Sequence, residues 1–126
     1  MASREPFRRA VVLVVEDEPI LRMNMAETIV DAGFSAIETG SADEAATILE
    51  ARKDIRIVFT DINMPGSMDG LKLAEAVRRR WPRIELILTS GKWEGANDKM
   101  PGRGRFFPKP YDPADVIAAV RDFIPN

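Results

Sequence analysis

A chain of 126 residues with 45% apolar and 30% charged residues can bury roughly two-thirds of its unfolded surface around one core, and its composition is that of an ordinary globular domain. It holds neither cysteine nor histidine, which excludes a disulfide framework and any thiolate or imidazole metal site. A formal net charge of −2 argues against a nucleic-acid face, which needs surplus cations; the apolar run Ala10–Val15 is too short for a signal peptide or a membrane span.

Residues 1–9 read as a frayed leader, and Val11–Val15 as a strand buried on both faces, because its β-branched residues show no polar alternation. Pro19 suits a first helical turn, and Ile20, Leu21, Met25, Thr28, Ile29 and Ala32 recur at helical spacing until Gly33 stops the helix. Phe34–Thr39 predicts a strand, and Ser41 with Glu44 a capping box opening a helix through about Lys53. Ile55–Thr60 is the next buried strand. Leu73, Ala74, Val77 and Trp81 define the apolar face of a helix closed by Pro82, and Ile84–Leu88 follows as a strand. Between Thr89 and Phe106 the glycines 91, 95, 102 and 104 and Pro101 predict a short, distorted or absent helix. Phe106–Phe107 is the fifth strand, placed at a sheet edge because Pro108 cannot donate to a ladder. A last helix starts from Asp112 as N-cap and Pro113 as first residue, with Val116, Ile117, Val120, Phe123 and Ile124 facing inward. Alternation with short connections is the pattern of one doubly wound α/β domain with a five-stranded parallel sheet. The basic run Arg78, Arg79, Arg80 and Arg83 reads as a solvated face complementing a helix C-terminus.

In such a sheet the carboxyl ends of the strands converge on one crevice. Here they bring Glu16, Asp17 and Glu18, then Asp61, then Thr89 and Ser90, then Lys109. Asp61, where a buried strand meets the loop Ile-Asn-Met-Pro, is the candidate nucleophile, and a phosphoryl group is the natural electrophile for a carboxylate. Crowded acids would repel that group unless a divalent cation intervened. Oxygen-only ligands select a hard ion, Mg²⁺ or Mn²⁺, held by a few carboxylates from among Glu16, Asp17 and Asp61, with the remaining positions left to water and substrate. Lys109 would supply a second positive charge and Thr89 a hydrogen bond to an attached phosphoryl oxygen. Taken singly these residues have plainer readings. Acids near a helix start are worth about 0.3–1 kcal/mol each, and a lone Lys or Thr at a strand end is commonplace. Their joint placement at one edge carries the argument.

Val-Leu-Val-Val-Glu-Asp-Glu-Pro, the Asp61-x-x-Met64-Pro65 loop ending Met68-Asp69-Gly70, the Ile87-Leu88-Thr89-Ser90 ending and Lys109-Pro110-Tyr111 together resemble the receiver domain of two-component response regulators, over about residues 9–124. That resemblance implies a flavodoxin-like sheet of order 2-1-3-4-5, Asp61 as phosphoacceptor and Glu16 and Asp17 as the acidic pair. It also implies an Asn63 backbone carbonyl on the metal, Lys109 as the family lysine, Thr89 and Phe106 as switch residues, and a cis Lys109–Pro110 bond. It further implies a cytoplasmic phosphoprotein that catalyses its own phosphoryl transfer and autodephosphorylation but is not a metabolic enzyme. Its donor would be a histidine kinase or histidine phosphotransfer protein, read through the first helix around Met23, Asn24 and Glu27, and its output an unidentified protein rather than nucleic acid or membrane.

The chain departs from the common pattern at Gly66-Ser67, which lengthen the loop after Pro65, and at the glycine-rich stretch replacing a regular fourth helix. Phe106 stands where the family commonly has tyrosine or another aromatic, and offers no hydroxyl. Because the chain stops at Asn126, directly after the last helix, the expectation is a single domain, 1–126, acting through contacts as a stand-alone regulator or phosphoryl shuttle. Two other readings have sequence arguments against them. A small aspartyl-nucleophile phosphatase typically carries a second acid two residues after the nucleophile, where this chain has Asn63. A flavodoxin-like cofactor binder needs backbone amides and small residues where this chain has Glu16-Asp17-Glu18-Pro19.

Overall fold

The computed structural model describes residues 10–64, 68–91 and 104–124. The leader, the loop insertion at residues 66–67 and most of the glycine-rich stretch lie outside them, so the irregular helix expected there is not addressed.

The order of elements is β1 (Val11–Val15), α1 (Pro19–Asp31), β2 (Ser35–Thr39), α2 (Ala42–Ala51), β3 (Ile55–Asp61), α3 (Gly70–Arg80), β4 (Glu85–Ser90), β5 (Arg105–Pro108) and α4 (Pro113–Phe123). The strands form one sheet in the order β2-β1-β3-β4-β5, and every pairing is parallel. All of β1 is buried, as its unbroken β-branched run requires. The edges fall to β2 and to the short β5, the edge position that Pro108 calls for.

Side chains alternate between two cores. On one face Leu13, Val15, Val58, Leu86 and Leu88 meet Leu49 of α2 and Leu73 and Val77 of α3. On the other Val12, Val14, Ile57, Phe59 and Ile87 meet Met25 and Ile29 of α1 and Val116 and Val120 of α4. A register shift between Val11 and Val12 against β3 sets Arg56 out of the ladder.

Helix starts follow side-chain chemistry. Glu18, Ser41, Asp69 and Asp112 each accept a hydrogen bond from a backbone N–H of the first turn. α1 ends at Gly33, whose φ of 103° suits glycine alone. Two expectations need correcting. Ile20 and Leu21 do not face inward: they are 65% and 37% exposed, and Met25, Ala26 and Ile29 form the buried stripe. The capping box at α2 is only half formed. Ser41 Oγ accepts from Glu44 N–H, but the Glu44 carboxylate takes the Thr39 hydroxyl instead of reaching back. Trp81, the C-cap of α3, packs against the same core as Leu73, Ala74 and Val77, as expected, and lies under the Arg80 guanidinium at 4.5 Å.

Candidate functional site

β1, β3, β4 and β5 finish at one pole, and each delivers a candidate there. Glu16 follows β1, Asp61 closes β3, Thr89 is the last β4 residue paired with β3, and Lys109 follows β5. β3 and β4 each run further than predicted. Asp61 and Thr89 are therefore ladder residues, directly opposite one another in register.

Lys109 joins the acids. Its Nζ donates to Asp61 Oδ2 at 2.8 Å and to Glu16 Oε1 at 3.1 Å. Backbone amides take the other carboxylate oxygens: Asn63 N–H donates to Asp61 Oδ1 and Glu18 N–H to Glu16 Oε2, both at 3.1 Å. Glu16 is 1% and Asp61 5% exposed, while Asp17 faces solvent. The Lys109–Pro110 bond is cis, as the resemblance implied.

Burial raises the Glu16 carboxyl above the ordinary glutamate range, reinforced by the Asp61 charge; the Glu18 amide and Lys109 oppose this without cancelling it. Burial also works against the charged form of Lys109, but its hydrogen bonds and charge contacts with Asp61 and Glu16 outweigh that and hold the ammonium above the usual lysine value. Lys109 therefore stays protonated across the physiological range, as a fixed cation.

One carboxylate oxygen from each of Glu16, Asp17 and Asp61 lies within 4.8 Å of the others. Two buried acids and one exposed acid, all oxygen donors, fit a hard divalent ion that keeps several waters. Asn63 adjoins this group, and its Oδ1 accepts from the Ser90 hydroxyl at 2.6 Å. Thr89 is fully buried, and its Oγ1 has no hydrogen-bond partner among the described residues. Such a hydroxyl is normally satisfied. Phe106 stays apart from the carboxylates. It is partly buried on the α2/α3 core, opposite Leu88, while Phe107 is the register partner of Thr89.

Two structural parts of the site are not apparent from a search for reactive groups. Gly70 begins α3 against the Asp61 backbone, where an added Cβ would lie 1.8 Å from the Asp61 carbonyl oxygen; its N–H donates to Ile62 O at 3.0 Å. A glycine directly after an N-cap, where better helix formers are usual, was the available signal. Arg22 of α1 donates from Nη1 to the Glu16 carbonyl at 3.1 Å. No local pattern links residues so placed.

The response regulator receiver domain model matches residues 12–121. The chain is 34% identical to the response regulator protein FleR of Pseudomonas aeruginosa, covering 88% of this chain and 24% of that protein. It is 33% identical to the sensor kinase CckA of Brucella abortus, covering 91% of this chain and 12% of that protein. The chain thus spans about a quarter or less of these curated relatives. A solved response regulator receiver protein from Sinorhizobium medicae superposes with a TM-score of 0.83 at 28% identity, covering 93% of this chain and 95% of that one.

Proposed function

Since the chain belongs to the response regulator receiver domain family and is a phosphorylatable signalling module, we propose that Asp61 is its phosphoacceptor. The observation that carries this is the buried Asp61 carboxylate, held by the Lys109 ammonium and the Asn63 amide opposite the Thr89 hydroxyl, which has no partner among the described residues.

A carboxylate oxygen of Asp61 forms the new P–O bond while the donor's P–N bond breaks and its electron pair leaves with the imidazole. Glu16, Asp17 and Asp61 would hold Mg²⁺ or Mn²⁺, with the Asn63 backbone carbonyl as a further ligand. When bound, the ion neutralises charge on the transferring oxygens. Lys109, already charged and held at the Asp61 carboxylate, would be drawn toward the attached phosphoryl group and do the same from the protein side. Thr89 then gains the acceptor that its hydroxyl lacks. That gain biases a two-state equilibrium, read through Phe106 and the neighbouring surface by a downstream protein.

The donor, a histidine kinase or histidine phosphotransfer protein, would approach over α1. A cleft of about 370 Å³ between Leu21, Asn24 and Thr28 on α1 and Pro110 and Tyr111 beyond β5 opens beside Lys109. Ile20 and Met23 are exposed elsewhere on the same helix, an apolar surface suited to a partner helix. Glu27 borders the same helix face. No helix among the described residues is long and apolar enough to cross a membrane, and we place the protein's action in the cytoplasm, where such donors present their phosphohistidines.

Intact mass after incubation with Mg²⁺ and acetyl phosphate tests the assignment. The wild type gains one phosphoryl group and Asp61→Asn gains none. A gain of equal size in the variant would move the acceptor elsewhere.

A further inference from the structure

The peptide that joins Glu16 to Asp17 is held from outside the site. Its carbonyl, that of Glu16, accepts from Arg22 Nη1 at 3.1 Å. On the other arm of the guanidinium, Arg22 Nε donates to Glu38 Oε1 of β2 at 3.3 Å. Gly40 leaves room for the arm that holds the Glu16 carbonyl, since a Cβ there would lie 3.3 Å from Nη1. The β1–α1 turn is also tied to β2 through Glu16 N–H, which donates to Thr39 O at 3.1 Å. Both backbone groups of Glu16 are therefore fixed to or through the β2 end, and the planar fork of Arg22 sets the peptide from which the two acids diverge.

Orientation of that peptide decides whether Glu16, buried, and Asp17, exposed, present oxygens to the same point. Three carboxylates facing one ammonium repel one another, so an unclamped turn would relax by swinging the exposed Asp17 outward. A guanidinium binding the carbonyl and a carboxylate together holds its geometry in a way that an ammonium cannot.

We propose that Arg22 is a positioning residue for the divalent-cation site, acting through the Glu16–Asp17 peptide with Glu38 as its anchor. This rests on the reading of Glu16, Asp17 and Asp61 as metal ligands. It is tested by binding, independently of phosphorylation. Mn²⁺ affinity measured by calorimetry is expected to weaken about tenfold in Arg22→Met, the low end of what loss of a ligand-orienting partner does. Arg22→Lys should weaken it nearly as much, and Glu38→Gln a few-fold. The acetyl phosphate reaction of Arg22→Met should need correspondingly more Mg²⁺ yet reach the wild-type rate at saturation. A residue that only supported the fold would lower the melting temperature without that split. Wild-type Mn²⁺ affinity in a folded Arg22→Met or Arg22→Lys overturns the proposal. If Arg22→Met fails to fold, the lysine variant, which keeps charge and length, decides alone. A wild type that binds no Mn²⁺ removes the underlying metal reading, and the two failures remain distinguishable.

Discussion

At the pole where the strands end, Glu16, Asp61 and Lys109 come from three elements, are largely buried, and satisfy one another and the backbone. At the opposite pole the turns after α2 and α3 and the start of β3 present Arg52, Lys53, Arg56 and Arg83 around a concavity of about 590 Å³ that includes Trp81 and Ile84. The charge there is as dense, but its ion pairs are solvent-exposed. Arg52 pairs with Asp54 two residues away through two hydrogen bonds, and Arg80 reaches Glu50 across exposed surface. Arg78 donates to the Pro82 and Ile84 carbonyls just past its helix. The cations complement the negative ends of α2 and α3. Dense charge is therefore a poor marker of a site, and convergence of buried charge from distant segments is a better one.

The contrast is most easily broken at Gly70. Alanine there must displace the Asp61 backbone, so Gly70→Ala should lose about 2–3 kcal/mol of stability in urea unfolding and slow acetyl phosphate labelling as well. Lys109→Met should be next. It leaves two buried carboxylates facing each other, for a loss of about 2 kcal/mol. That is below the usual penalty for stranding a buried charge, because Lys109 retains 21% side-chain exposure. Equal unfolding midpoints for this variant and the wild type would show the ammonium to be dispensable for the fold.

Glu16→Gln sharpens the comparison through pH. The folded carboxyl titrates above its unfolded value, so the folded state binds the additional proton. Its favourable contribution is complete below the ordinary glutamate range and disappears as pH rises through the folded value. The metal-free Gln variant should therefore be more stable than wild type at neutral pH, with the gap closing toward pH 4. A gap that widened on acidification would reverse the assignment of burial as the dominant cause. Smallest of all, Lys53→Ala, Arg56→Ala and Arg83→Ala should each stay within about 0.5 kcal/mol and leave labelling unchanged.

Most of the fold was legible because its signals are local. The unbroken Val11–Val15 run, Pro19 and Pro113 at helix starts, Gly33 at a helix end and Pro108 at an edge each act through their own backbone. Asp61, Lys109 and Glu16 could be assembled from sequence because the parallel topology itself collects strand ends. The misreadings arose where two uses of one side chain compete. Ile20 and Leu21 fit the helical period yet lie on the side of α1 that the sheet cannot reach, and Glu44 had a nearer partner in Thr39 than the amide of its own cap. Gly70 and Arg22 escaped because their roles depend on an approach across some ten residues in one case and on a carbonyl's direction in the other. Neither is expressed in residue type.

The pairing of Asp61 with Thr89 across β3 and β4 has a consequence for how this chain can vary. The separation between the Asp61 and Thr89 backbones is a lattice spacing of the sheet, repeated wherever two parallel strands adjoin, and no loop contributes to it. Insertions such as Gly66-Ser67 can therefore accumulate in the connections without altering the gauge of the reactive pair. Recognition can drift quickly in such a molecule while its chemistry stays constant, because the two are written in different parts of the chain.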